Sequence, residues 1–484
     1  MDCNRRTGAQ PAGGLDISSL AREYERYRKI GLKLDMRRGK PCGEQLEIAR
    51  PMLDWGDAGF ETQPGVDARN YGGDIEGIPA CRQLFADILS ARPQNVLVWG
   101  NSSLNLMYDC VTKAMLSGVH GGKSPWLSQV GGGANPGGGR AHGAAGTAGE
   151  SVSAGATGES VSASAQYSAR ACQATAVPSG RLKFICPSPG YDRHFALTEG
   201  LGFELIMVEM KDGGPDMDAV ERLVGEDPLI KGIWSVPKYS NPTGITYSDE
   251  VVRRFAALKP KADDFRIFWD NSYVAHDLYD EPDVLLDLLS EAEKRGNGDM
   301  VYVFASTSKI TFAGSGVSAV AASENNIRLL AKQFSAQSIT SDKLNQLRHV
   351  RFIRDAARLR EIMARHAAII RPKFAAAYGA LREGFGESGK GLCSWSEPNG
   401  GYFISLDTPD FCASEALRLA AGAGVLFTGA GSSFPYKNDP RDRNIRIAPT
   451  VPSAEDVRAA INILSLCIKL AYARKISEAP AGSP

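Results

Sequence analysis

Lys309 closes the run Ser306-Thr307-Ser308-Lys309, which follows an apolar stretch, Met300-Val301-Tyr302-Val303-Phe304-Ala305, with the composition of a buried strand. The small residues Ala313-Gly314-Ser315-Gly316 come next. A lysine at a buried strand end, among hydroxyls and glycines, is a poor core residue. Partial desolvation loosens its proton, and the neutral amine is a nucleophile able to form a Schiff base. Three more motifs accompany it. Asn241-Pro242-Thr243-Gly244 follows a strand pattern at 232–236, Trp269-Asp270-Asn271-Ser272-Tyr273 ends another, and Asn444-Ile445-Arg446-Ile447-Ala448 lies towards the C-terminus. In a parallel sheet, strand ends at one edge open on a common crevice, so these side chains can converge. Each also fits a plainer role on its own: Asp270 as a strand-end cap, Asn-Pro-Thr-Gly as a turn, Arg446 in a surface ion pair, Tyr191 and Tyr273 as half-buried packing. Four such motifs in this order point to one site.

The chemistry that this set suits is that of pyridoxal 5'-phosphate. An aldehyde cofactor needs an amine, Lys309. Its pyridine nitrogen stays protonated beside a buried carboxylate, Asp270, which lets the ring act as an electron sink. Asn241 and Tyr273 can donate to the phenolic oxygen, and Tyr191 can cover the ring face. Ser102, Ser103, Ser306 and Ser308 offer small donors for the phosphate. An amino-acid carboxylate matches the fork of Arg446. No metal is called for.

Composition narrows the field. Hydrophobic residues make up 43% and charged residues 23% of 484, as in a globular protein large enough for two or three domains. Lys plus Arg and Asp plus Glu are 55 each, which gives no support to nucleic-acid or membrane partners. No apolar run approaches the roughly 18–20 residues of a membrane span. The nine cysteines never form a CxxC pair and read as reduced thiols of a cytoplasmic protein.

The elements that must position these residues alternate in the α/β manner. Helical patterns cover 15–34, capped by Asp16 or Ser18, then 79–89 and 104–116. Further ones cover 192–199, 249–258, 327–334, 342–365, 367–383 and 454–470. Strand patterns fall at 96–99, 184–186, 204–208, 232–236, 266–269 and 301–304, then at 402–406, 425–427 and 444–447. The apolar central strands indicate a mostly parallel sheet buried on both faces. Gly100-Asn101-Ser102-Ser103 between strand and helix suits either a phosphate or an ordinary helix cap. Residues 118–180 are rich in Gly, Ala and Ser and repeat Gly-Glu-Ser-Val-Ser-Ala, which reads as a disordered insertion. The expected organisation is a tail at 1–14, an arm and part of a small domain at 15–60, and a large cofactor domain at 61–345. A small domain follows at 346–475, with a tail at 476–484.

These motifs resemble the fold-type I pyridoxal-phosphate enzymes of the class I/II aminotransferase group. The strings Arg38-Gly39-Lys40-Pro41, Asn70-Tyr71-Gly72-Gly73, Gly100-Asn101-Ser102-Ser103-Leu104-Asn105, Pro189-Gly190-Tyr191-Asp192-Arg193-His194-Phe195 and Lys309-Ile310-Thr311-Phe312-Ala313-Gly314 are similar to those of type I-c aspartate aminotransferases. The resemblance implies an α/β PLP-dependent transferase fold of type I, with a large domain around a mostly parallel sheet and a smaller α+β domain. It implies a homodimer, with Tyr71 reaching the neighbouring subunit's cofactor phosphate and Gly39 lying against substrate. It further implies transamination of L-aspartate and 2-oxoglutarate to oxaloacetate and L-glutamate, Lys309 acting as base and acid. Arg37, Arg38 and Lys40 are candidates for a distal carboxylate. Many aminotransferases carry a phosphate-clamping arginine where this chain has Val317, so phosphate binding is expected to lean on Ser102, Ser103 and Ser306. Alternatives are an aminotransferase for other amino acids, a C–S β-lyase, or a non-catalytic cofactor-binding regulator.

Overall fold

The computed structural model describes residues 15–56, 59–73, 75–119, 125–130 and 180–478. The expected N-terminal tail, most of the expected insertion and residues 479–484 lie outside the described residues.

Eight strands build the central sheet: β1 (Val96–Val98), β2 (Lys183–Ser188), β3 (Glu204–Lys211), β4 (Gly214–Pro215), β5 (Ile230–Ser235), β6 (Arg266–Asp270), β7 (Val301–Ser306) and β8 (Ser318–Ala322). Their order across the sheet is β1-β8-β7-β6-β5-β2-β3-β4. From β7 through β6, β5 and β2 to β3 all neighbours are parallel. β8 runs antiparallel to β7 and β1, and β4 antiparallel to β3, so the mostly parallel sheet has antiparallel margins. Every residue of β5 to β8 is buried. Alternate side chains feed two cores: Ile233, Ile267, Val303 and Ala305 on one face, Trp234, Phe268, Tyr302 and Phe304 on the other. Helices therefore cover both faces, which is why these strands are mainly apolar.

β8 was not anticipated. Its sequence, Ser-Ala-Val-Ala-Ala, has little bulk, and it pairs antiparallel, outside the strand–helix alternation. Short pieces of the expected insertion are also built into the fold. Trp126 is fully buried, and Gln129 donates to Asp264, whose other oxygen accepts from the buried Lys231.

A second core joins the two ends of the chain. A three-stranded antiparallel sheet, β9 (Ser394–Trp395), β10 (Ile404–Asp407) and β11 (Asn444–Ile447), packs with helices Ala356–Phe385 and Ala454–Glu478. Tyr24 and Met36 enter the same core. The N-terminal helix spans Ile17–Ile30 rather than 15–34: Asp16 caps it, and Gly31 ends it in a left-handed conformation at φ 72°. Leu34 then pairs with Val425 in a separate two-stranded sheet, and Ile30 is 61% exposed rather than part of an apolar face. The helix expected at 342–365 is two helices, Lys343–Ile353 and Ala356–Phe385, broken at Arg354 with φ 62° and restarted by the Asp355 cap. No break occurs near 366. The last helix runs to Glu478, past the expected 470 and into the segment read as a tail.

Candidate active site

A cavity of about 200 Å³ opens beyond the carboxyl ends of β6 and β7. Asp270 is the last residue of β6 and Ser306 the last of β7, and Phe304 pairs with Asp270 in register. Lys309, one turn beyond β7, lines the cavity with both of them. Ser102, Ser103, Tyr191, Asn241, Tyr273, Ser308 and Gly39 also line it. Arg446 stands just behind, bonded to Asn241. Of the predicted residues only Tyr71 is elsewhere: it is 75% exposed and away from the cavity of its own chain.

Asp270 is buried and doubly held. His194 Nε2 lies 3.1 Å from Oδ2, and the Ser272 hydroxyl donates to Oδ1. His194 is fixed in turn by stacking on Trp234 at 4.4 Å, with the edge of Tyr191 at 4.9 Å. Burial alone would raise the Asp270 carboxyl. The His194 hydrogen bond and charge, the Ser272 hydroxyl and the Lys309 ammonium outweigh it and hold the group below its ordinary value. It is a buried carboxylate that stays ionised.

Lys309 is half-buried, with Nζ 4.8 Å from the centre of the Tyr273 ring. Burial lowers its pKa from the ordinary lysine value, and the Asp270 charge opposes this. The result is an amine that gives up its proton more readily than a surface lysine. Burial pushes the Tyr191 phenol up to about 12, helped by the Asp270 and Asp192 charges, so it remains a neutral donor.

The hydroxyls have room for an anion. Helix Ser103–Ser117 starts at Ser102, whose side chain makes no capping bond and so remains available. Ser103 Oγ touches Ser272 Oγ at 3.4 Å, while Ser308 Oγ donates to the Asn101 carbonyl at 3.2 Å. The basic residues lining the cavity are Lys40 and Lys309. Val317 is buried and bonded to Thr307, so the expected lack of an arginine at that position leaves no cation there.

Arg446 projects from β11 and is 7% exposed. Its Nη1 donates to Asp192 at 2.8 Å and to Asn241 Oδ1 at 3.3 Å, its Nη2 to Thr428 Oγ1 at 3.2 Å, and its head lies 5.0 Å from the Phe403 ring centre. Gly39 faces the same ring: a Cβ there would meet Phe403 at 2.5 Å, so a larger residue must push the ring aside.

The family model for aspartate amino-transferases matches residues 15–133 and 148–479. A Mycolicibacterium smegmatis chain with only a provisional aminotransferase description is 43% identical over 93% of this chain and 94% of its own. The Corynebacterium glutamicum aspartate aminotransferase is 38% identical, covering 95% and 94%. The crystal structure of an aspartate transaminase from C. glutamicum superposes with a TM-score of 0.82 at 37% identity, covering 96% of each chain. The chain belongs to the aspartate aminotransferase family.

For an aminotransferase of this family the cavity fits pyridoxal phosphate by its donor set. It has an amine at a strand end, an ionised buried carboxylate, and several hydroxyls at a helix start. Sequence reasoning missed His194, Ser272 and Asp192 as members of the site. His194 was legible in principle, since it follows Tyr191 by three positions on one helical face. The aminotransferase also carries a brace that no motif announced. Gln45, fully buried, donates to Tyr402 Oη at 3.1 Å, lies 2.9 Å from His366 Nδ1 and accepts from the Cys42 N–H, while Tyr402 donates to the Lys309 carbonyl at 3.3 Å. It ties the loop carrying Gly39 and Lys40 to the backbone of Lys309. Arg37 is spent on Asp35 at 2.7 Å, which leaves Lys40 as the cavity-lining cation of the three proposed for a distal carboxylate. Among the described residues no helix is long and apolar enough to cross a membrane.

Proposed function

We propose that this aminotransferase binds pyridoxal 5'-phosphate and transfers the amino group of L-aspartate to 2-oxoglutarate. It would act as a cytoplasmic homodimer in which Tyr71 serves the neighbouring subunit. The convergence of Lys309 and Asp270 on one cavity carries this reading. Bound there, the cofactor supplies an electron sink for the pair left when a Cα–H bond breaks. Lys309 would attach it, Asp270 would pair with its pyridine nitrogen, and Asn241 and Tyr273 would donate to its phenolic oxygen. Ser102, Ser103, Ser306 and Ser308 would hold its phosphate, with Tyr191 over the ring.

Lys309 Nζ would take the proton from Cα of the amino donor and pass it to the cofactor, and would carry one the other way in the oxo-acid half-reaction. Asp270, kept ionised by His194 and Ser272, preserves a positive charge at the ring nitrogen. Arg446 orients the α-carboxylate, with Gly39 leaving space beside Phe403. Exposed Tyr71, 75% accessible in the single chain, supports a role across a subunit boundary.

The test is a donor panel with the purified holoenzyme. Aspartate with 2-oxoglutarate should yield oxaloacetate and glutamate faster than alanine, aromatic or thioether donors yield their oxo acids. Pyruvate release from a C–S donor without an oxo-acid acceptor would favour a β-lyase instead.

A further inference from the structure

Building on the assignment of Arg446 as the carboxylate fork, we propose that Asp192 is a resident counter-carboxylate that sets how tightly the site takes substrate carboxylates and inorganic anions. Arg446 lies almost wholly out of water, where an uncompensated guanidinium is costly. Asp192 supplies the compensating charge at 2.8 Å. It is the first residue of helix Asp192–Gly200, directly after Tyr191 of the cavity wall, and its side chain is 25% exposed against 7% for Arg446. It therefore keeps part of its hydration while neutralising the cation.

Asp192 is not needed to place the arginine. Asn241 and Thr428 accept from the two Nη groups, the Phe403 ring covers the head, and Arg446 sits in β11 opposite Ser405. What Asp192 adds is charge. Arg446 Nε is buried without a partner, and Nη2 keeps a second N–H beyond its bond to Thr428, so the Nε–Nη2 edge is the one with donors left for a substrate carboxylate. That carboxylate meets a cation already half-spent. A simple anion gains little there. A substrate that also bonds elsewhere in the cavity displaces or shares the pair. Asp192 thus trades affinity for discrimination against small anions.

The test compares wild-type, Asp192→Asn and Asp192→Glu holoenzymes, with maleate as a non-reacting dicarboxylate and sulfate as a small anion. Asparagine keeps the Oδ1 acceptor for Arg446 Nη1 and removes only the charge. We expect Asp192→Asn to be inhibited by sulfate at about tenfold lower concentration and to bind maleate more tightly by a smaller factor, about threefold. KM for the dicarboxylate should fall more than kcat changes, while Asp192→Glu should stay near wild type. Unchanged or weaker maleate and sulfate binding by Asp192→Asn would overturn the proposal, leaving Asp192 a mere support of Arg446. If wild type and Arg446→Ala bind maleate equally, the carboxylate fork itself fails, and this inference with it.

Discussion

His194 Nε2 stands 3.1 Å from Asp270 Oδ2, joining the first turn of a helix to the last residue of a strand 76 positions away. This bond, with the Ser272 hydroxyl, lets a fully enclosed carboxylate remain ionised. Asp270→Asn keeps the shape and removes the charge. It should cut kcat by at least about a hundredfold, while His194→Ala should cost less because Ser272 remains. Steady-state kinetics of the two variants checks the ranking.

The same carboxyl makes stability depend on acid. An unfolded aspartate titrates near about 3.9. In the folded protein the value is lower, so the associated stability is present above the unfolded value and is lost as pH falls through the folded one. Asp270→Asn should flatten the apoprotein's acid-side loss of stability, seen by urea unfolding across that range.

Lys309 has the same sign, at the alkaline end of the scale. Its folded pKa lies below that of an unfolded lysine, about 10.4. Between the two values the unfolded chain holds the extra proton, so stability rises with pH across that window and desolvation of the ammonium is a cost below it. Lys309→Met should remove that rise, read by urea unfolding of the apoprotein at neutral and alkaline pH, while abolishing turnover.

Gly39 and Phe403 are a steric pair. A Cβ on residue 39 would meet the ring at 2.5 Å, and overpacking of this kind costs about 1–3 kcal/mol. Gly39→Ala should raise KM about tenfold or more, and adding Phe403→Leu should recover much of the loss. Additive rather than compensating effects in the double mutant would show that the ring is not the obstacle.

Phosphate retention should rest on the serines. Hydrogen bonds to a charged group are worth about 1.5–3 kcal/mol each. The double variant Ser102→Ala, Ser306→Ala should weaken cofactor binding by at least about a hundredfold, read as the cofactor left after dialysis.

Much of this was legible in the chain because burial on both faces leaves β2, β5, β6 and β7 as mainly apolar runs, each ending near a chemically loaded residue. Lys309, Asp270 and Asn241 could be read from that, whereas Arg446, on β11 of the other sheet, was read from its own Asn444-Ile445-Arg446-Ile447 motif. β8 could not, since five small residues carry no periodic signal. The break at Arg354 depends on a positive φ that no pattern of side chains announces. Gln45, His194 and Asp192 owe their places to partners 321, 76 and 254 positions away, and such pairings follow only from the assembled fold.

The most direct measurement is where the cofactor attaches. The protein purified with pyridoxal phosphate would be reduced with borohydride, digested and mapped by mass spectrometry. The phosphopyridoxyl group should sit on Lys309 alone, and the Lys309→Ala protein should carry none. A label on another lysine, or none in the wild type, would contradict the assignment of this cavity as the catalytic centre.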